Sequence, residues 1–140
     1  CADWRSLFEE IAVGTGRCLK EGTDVAVITL GPIGNDVAKL LDEMQGIKQV
    51  AHYDLRFVKP LDENLLQEIG SKFNKIITIE DGVRNGGMGS AVMEWMADHG
   101  FRPQIVRMGL PDAFVEHGSV AQLRKLVGLD ADSIRKEIEV

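Results

Sequence analysis

Cysteine is scarce in this 140-residue chain: only Cys1 and Cys18 occur, and they form neither a CxxC pair nor zinc-ligand spacing. A disulfide framework is thereby excluded, and both are expected to be free thiols in a reducing cytoplasm. For Cys18 the expectation is a buried or half-buried spectator, the alternative being a nucleophile paired with His52, His99 or His117. No apolar run approaches the roughly 20 residues of a membrane span. The first residues carry acids and lack an apolar h-region, so no signal peptide is read. Basic residues are outnumbered, 16 Lys and Arg against 22 Asp and Glu, for a formal charge of −6. Phosphate neutralisation needs a basic face, which excludes nucleic acid as a main partner and leaves small molecules or protein surfaces.

Several binding motifs are missing as well. Gly14-x-Gly16 lacks the third glycine of a dinucleotide fingerprint and precedes the first strong strand instead of following it. There is no G-x-x-x-x-G-K-[ST] loop and no G-x-S-x-G elbow, and His-x-x-His and Glu-x-x-His metal spacings do not occur. Leu30-Gly31-Pro32 has neither the acids of a phospho-receiver nor a Ser/Thr cluster for a flavin phosphate.

What is present is globular, with 44% hydrophobic and 27% charged residues. Val25 to Leu30 is a nearly continuous apolar run, the mark of a strand covered on both faces. Ile33, Val37, Leu40, Leu41 and Met44 then recur at helical spacing before Gly46. Gln49 to Leu55 reads as the next strand, and Leu61, Leu65, Leu66, Ile69 and Phe73 line a helix with Asp62 as its N-cap. Lys75 to Glu80 is a third strand. Gly89-Ser90 opens a helix carrying Val92, Trp95, Met96 and His99, and Gln104 to Met108 is a further strand. Ser119 with Gln122 forms a capping-box pattern ahead of Leu123, Leu126 and Val127, and Leu129, Asp130 and Ile134 take the staple, cap and N4 positions of a last helix. Trp4 to Ile11 reads as a short helix or an extended arm, and Gly16 to Lys20 as an edge strand.

This alternation predicts the α/β class: a three-layer α/β/α sandwich with a mostly parallel sheet and an antiparallel edge strand. Residues 1–140 form one domain, with 1–15 as an N-terminal arm, and no repeat or linker interrupts it. The expected core includes Val25, Val27, Ile28, Leu40, Leu66, Ile76, Ile77, Ile79 and Ile105.

The candidate site lies where the third strand breaks into Glu80-Asp81-Gly82-Val83-Arg84-Asn85-Gly86-Gly87-Met88-Gly89-Ser90. A strand delivering its carboxyl end into a glycine-rich helix start is where open α/β sheets place binding edges. One reading makes Glu80 and Asp81 an acid/base pair; in the other, one of them bonds amides of its own turn while Gly86, Gly87 and Gly89 let backbone come close. Arg84 is read as an anion contact or a surface charge. The loop from Gly109 to Gly118, with Asp112, Glu116 and His117, should meet this one at the same edge, His117 serving as loop anchor or interdomain contact, or as a base. Asp54 and Arg56 share a strand face and are read as an ion pair, substrate-phosphate contact being the alternative.

Three stretches occur in one order: Asp54-Leu55-Arg56-Phe57-Val58-Lys59-Pro60-Leu61-Asp62, then Ile76 to Ser90, then Gly109-Leu110-Pro111-Asp112-Ala113-Phe114-Val115-Glu116-His117-Gly118. With Gly22-x-Asp24-Val25-Ala26-Val27 in register, the chain closely resembles the C-terminal domain of the 1-deoxy-D-xylulose-5-phosphate synthase family, transketolase-like thiamine diphosphate enzymes. The resemblance implies a fragment or processed piece of a cytoplasmic three-domain homodimer. That enzyme condenses pyruvate with D-glyceraldehyde 3-phosphate, using thiamine diphosphate and Mg²⁺, for isoprenoid, thiamine and pyridoxal synthesis. It also implies that no catalytic, cofactor-binding or metal residue lies here: Glu80-Asp81-Gly82 lacks the first glycine of the family's Gly-Asp-Gly motif and the later asparagine.

The motif residues Asp54, Arg56, Glu80, Asp81, Gly82, Arg84, Gly86, Gly87, Asp112, Glu116 and His117 are then interdomain docking candidates. The implied partners are the remaining domains of the same enzyme and a second subunit. The alternatives are the equivalent domain of a 2-oxoacid dehydrogenase β subunit or a transketolase, and a free-standing anion- or partner-binding module.

Overall fold

The computed structural model describes residues 9–44, 46 and 48–140. Its centre is the strand β2 (Val25–Leu30), whose β-branched residues alternate between two cores and leave only Leu30 partly exposed. Around it run β1 (Arg17–Lys20), β3 (Val50–Asp54), β4 (Lys75–Val83) and β5 (Gln104–Leu110) in the order β1-β3-β2-β4-β5. The pairs β3–β2, β2–β4 and β4–β5 are parallel, while β1 runs antiparallel to β3 with Arg17 opposite Asp54. The predicted edge strand is thus present. Residues 9–16 before it form neither helix nor strand, and the rest of the predicted arm lies outside the described residues.

Helices cover both faces. On one, α1 (Ile33–Glu43) and α5 (Ala131–Glu139) pack Val37, Leu40, Ile134 and Ile138 against Val25, Val27, Ile77 and Ile79. On the other, α2 (Glu63–Lys72) and α3 (Met88–Asp98) pack Leu66, Ile69, Val92 and Met96 against Ala26, Ile28, Tyr53 and Ile76. This is the predicted three-layer sandwich. The remaining helix, α4 (Val120–Leu126), has no buried residue, although its capping box from Ser119 to Gln122 is fully formed.

Lysines close helix ends at the amino edge of the sheet. Lys20 Nζ donates to Leu41 O at 2.9 Å at the end of α1. Lys48 Nζ donates to Ile138 O and Glu139 O, and Lys75 Nζ to Glu137 O, so two ammonium groups serve the last carbonyls of α5.

Two expectations of the fold are corrected. Ile105 is only partly buried, because β5 is an edge strand with one neighbour. β4 does not end at Glu80: a register shift after Ile79 lets Asp81 and Gly82 pass as a bulge before Val83 pairs with Leu110. In α4, Leu126 is 71% exposed. Asp130 stands at the N-cap of α5 as expected, its carboxylate accepting from the Ser133 hydroxyl at 2.6 Å.

Candidate functional site

The carboxyl edge of the parallel strands gathers the loops after β2, β4 and β5. In β4, Glu80 and its neighbour point to opposite faces, as strand geometry requires. Glu80 is 5% exposed, whereas Asp81 is exposed. The Glu80 carboxylate accepts the N–H of Met88 at 2.8 Å through Oε2 and that of Gly89 at 2.9 Å through Oε1. These are free amides of the first turn of α3, whose own N-cap, Gly87, has no side chain to offer. Glu80 therefore caps the helix from the strand, and its negative charge sits at the positive end of the dipole.

The loop's glycines follow from that buried carboxylate. A Cβ on Gly87 would lie 2.4 Å from Glu80 Oε2 and 2.4 Å from the Val83 carbonyl. On Gly109 it would meet Gly82 O at 3.0 Å and Glu80 Cγ at 3.2 Å. Of the two alternatives open in the sequence, the structure holds the one in which an acid bonds amides of its own turn.

The two loops meet as expected. Arg84 N–H donates to Leu110 O at 2.9 Å. Arg107, absent from the sequence-based candidates, donates to Ser90 Oγ at 2.7 Å and Arg84 O at 3.2 Å, and that hydroxyl in turn takes the Gly86 amide and donates to Arg84 O. The turn is fixed by backbone carbonyls and one buried hydroxyl, while the Arg84 side chain faces solvent.

Between the ends of β2 and β4 lies the crevice where the strand order reverses, the usual ligand position in open α/β sheets. Here Arg124 of α4 spans it: its guanidinium binds Asp36 of α1 at 2.6 Å and Asp81 at 3.4 Å. Those hydrogen bonds raise the Arg124 pKa further above its already high value. Asp81 is thus committed to holding α4. Nothing in the sequence marked Arg124.

Asp54 also has a partner that sequence spacing missed. Arg17 of β1 holds it through Nη2 at 3.0 Å and Nε at 3.1 Å, while the Nε of Arg56 lies 3.9 Å away. The Arg56 backbone N–H donates to Asp54 Oδ1 at 3.2 Å, with Arg56 at φ +57 in the left-handed region. The expected Asp54–Arg56 pair exists, but the shorter bonds come across the strand pair. Asp112, Glu116 and His117 all stand exposed on the loop after β5.

Nor does Cys18 have a histidine base. Contrary to the expected buried or half-buried position it stands exposed, because β1 is an edge strand. Its Sγ bonds Lys20 O and Glu21 Oε1, and desolvation followed by the hydrogen bond to the Glu21 carboxylate pushes the thiol pKa up, disfavouring the thiolate. His52 lies 1% exposed with Nε2 2.9 Å from Thr29 Oγ1, and burial lowers its pKa to about 4. His99 bonds Trp95 O and stacks on the Trp95 ring with centroids 3.9 Å apart.

The residues present do not fit thiamine diphosphate or Mg²⁺. The helix-start amides that would take a diphosphate are bonded by Glu80. Among the described residues no three His, Cys, Asp or Glu side chains come together as a metal-ligand set.

Residues 14–134 match the family described as "Transketolase, C-terminal domain". The chain belongs to the transketolase C-terminal domain family. Its curated relatives named 1-deoxy-D-xylulose-5-phosphate synthase include that of Bacteroides thetaiotaomicron, 55% identical over 97% of this chain and 21% of the relative. That of Bacteroides fragilis is 57% identical over 97% and 21%, and that of Aquifex aeolicus 36% over 94% and 21%. The chain therefore spans about a fifth of the length of these relatives. Among solved structures, one described as "Split gene transketolase, inactive beta4 tetramer" superposes at a TM-score of 0.81 with 28% identity, covering 94% of this chain and 43% of that one. In this transketolase C-terminal domain the helix start and the switch-point crevice are both filled by its own side chains.

Proposed function

We propose that this chain is the C-terminal domain of a 1-deoxy-D-xylulose-5-phosphate synthase and serves that enzyme as a structural, interdomain-docking and dimer-supporting module. The whole enzyme joins pyruvate to D-glyceraldehyde 3-phosphate, releasing carbon dioxide and leaving the five-carbon product. It works as a cytoplasmic homodimer with thiamine diphosphate and Mg²⁺ held by its preceding domains. Identity of 55% over nearly the whole chain to a protein of that name carries the synthase reading.

The docking role is supported by the commitment of this domain's own polar groups. Glu80 is spent on the amides of α3 and Arg124 on Asp36 and Asp81, so neither binding position of the α/β edge is open to a ligand. Besides Asp81, which is paired with Arg124, the exposed candidates are Arg84, Gly86, Asp112, Glu116 and His117, and these remain for contact with other domains.

Product formation from pyruvate and D-glyceraldehyde 3-phosphate by the full-length enzyme, set beside calorimetric titration of this chain with thiamine diphosphate and Mg²⁺, tests the reading. Turnover by the former and no binding by the latter is expected. Stoichiometric binding at micromolar affinity to this chain alone would overturn it.

A further inference from the structure

The segment after β5 carries apolar side chains that the domain itself does not use. Phe114 is 107% exposed, and Val115, Val120 and Leu126 are exposed with it. Val115 and Val120 line a groove of about 230 Å³ together with Leu110, Leu123 and Val127, with Asp81 and Arg124 also contributing, and Phe114 precedes Val115 in the chain. A helix with a complete capping box and no buried residue is well specified locally and has nothing of its own to cover. Contiguous apolar residues rimmed by polar ones mark a surface that another protein surface covers, and a fully exposed phenylalanine is a natural anchor. The groove's polar residues are Asp81 and Arg124, and Asp112, Glu116, His117 and Lys125 stand exposed in the same segment of chain.

Two facts choose the occupant. About four-fifths of the synthases this chain matches lies outside it, since it covers 21% of them. The chain also enters the sheet at the same edge as this face: Arg17 at the start of β1 lies opposite Asp54 at the carboxyl end of parallel β3, and Phe114 follows the carboxyl end of parallel β5. Polypeptide leading into β1 thus starts on the same carboxyl side of the sheet as Phe114, with β1 and β5 as its two outer strands, and tethering raises its effective concentration on that side.

Resting on the synthase reading, we infer that the Phe114 face of α4 and its preceding loop is the docking surface for an apolar patch on the domains that precede this one. The central contacts are Val115 and Val120 of the groove with Phe114 next to them in the chain, and the loop's acids and His117 are their polar neighbours in sequence. Buried Glu80, bonded to the amides of α3, and Asp81, bonded to Arg124, are supports of this surface and not its central contacts.

Hydrogen exchange on the full-length enzyme and on this chain tests the inference. Exchange over residues 112–127 should slow by about tenfold or more in the full-length enzyme, and Phe114→Asp should abolish that difference, whereas Leu19→Asp on β1 should not. Phe114 is fully exposed, so its replacement leaves the fold of the domain intact. Equal exchange in both proteins overturns the inference, as does loss of protection with Leu19→Asp. Protection that appears in this chain alone and rises with its concentration also overturns it, by making a second copy the occupant. Product formation by the same full-length preparation separates the two readings: turnover without protection removes the docking surface and leaves the synthase, while absence of turnover removes the synthase reading.

Discussion

Glu80 Oε1 lies 2.9 Å from the amide nitrogen of Gly89, so a strand residue caps a helix that begins eight residues later in the chain. That bond and its twin to Met88 place a buried carboxylate where an α/β edge would otherwise offer amides to an anion. Removing the carboxylate leaves two buried donors without partners. Glu80→Ala should therefore cost about 2 to 4 kcal/mol and Glu80→Gln, which keeps one acceptor oxygen, about 1 to 2 kcal/mol, read by denaturant unfolding. Losses below about 0.5 kcal/mol for both would show that water serves these amides equally well.

The glycines of the loop should not be equivalent. Gly87→Ala drives a Cβ into the Glu80 carboxylate and the Val83 carbonyl, and with backbone on one side it cannot be relieved by a rotamer change. Gly86, at φ +78 with open space around it, should lose only about 1 kcal/mol on replacement by alanine. At Gly82 the nearest atom is at 3.4 Å, an ordinary contact, so Gly82→Ala should be the mildest. A thermal-unfolding ranking with Gly87 first is expected; equal shifts at all three would contradict the close approach.

Acid should weaken the domain through His52. Burial keeps it neutral in the fold down to about pH 4, while in the unfolded chain it takes up a proton near 6.5. Between these values the unfolded chain binds the extra proton, so the stability that neutral His52 permits is complete above pH 6.5 and is lost as pH falls to about 4. The span corresponds to about 3 kcal/mol. Urea unfolding across this range should show the loss, and His52→Gln should flatten it; an unchanged slope in that variant would assign the acid sensitivity to other groups.

The strand and helix order was legible because both periodicities are clean: Val25 to Leu30 is continuous where both faces are covered, and Ile33, Val37, Leu40 and Leu41 mark one helix face. Asp62 as N-cap was readable too, since it bonds Leu65 three residues on. Contacts made across the fold were not. Glu80 reaches the amides of Met88 and Gly89, Arg17 reaches Asp54 from a paired strand, and Arg124 reaches Asp36 from 88 positions away. Each is set by sheet order and register, and local spacing contains neither. The bulge that extends β4 was hidden for a related reason: Asp81 and Gly82 look like strand breakers, and only pairing with β5 carries the strand through them.

The C-terminal helix should fray without its lysines. Lys48 and Lys75 approach the last carbonyls of α5 from two different strand starts, and Lys75 has its pKa lowered first by burial and then by the nearby Lys48 charge. The double variant Lys48→Met, Lys75→Met should lose about 1 kcal/mol and should speed amide exchange in the last turn while leaving α3 unchanged. Uniform acceleration throughout the domain would contradict a local capping role.

The central claim is that this domain supports the enzyme's assembly and gives no group to the reaction, and the pH–rate profile of the full-length enzyme carrying His117→Ala tests it most directly. His117 is exposed on the loop beside Phe114, and it is the strongest proton-transfer candidate in the chain. The expected result is weaker assembly or lower turnover with both limbs of the profile in place. Loss of turnover in a fully assembled dimer together with the disappearance of one limb would contradict the account and make His117 a general acid or base.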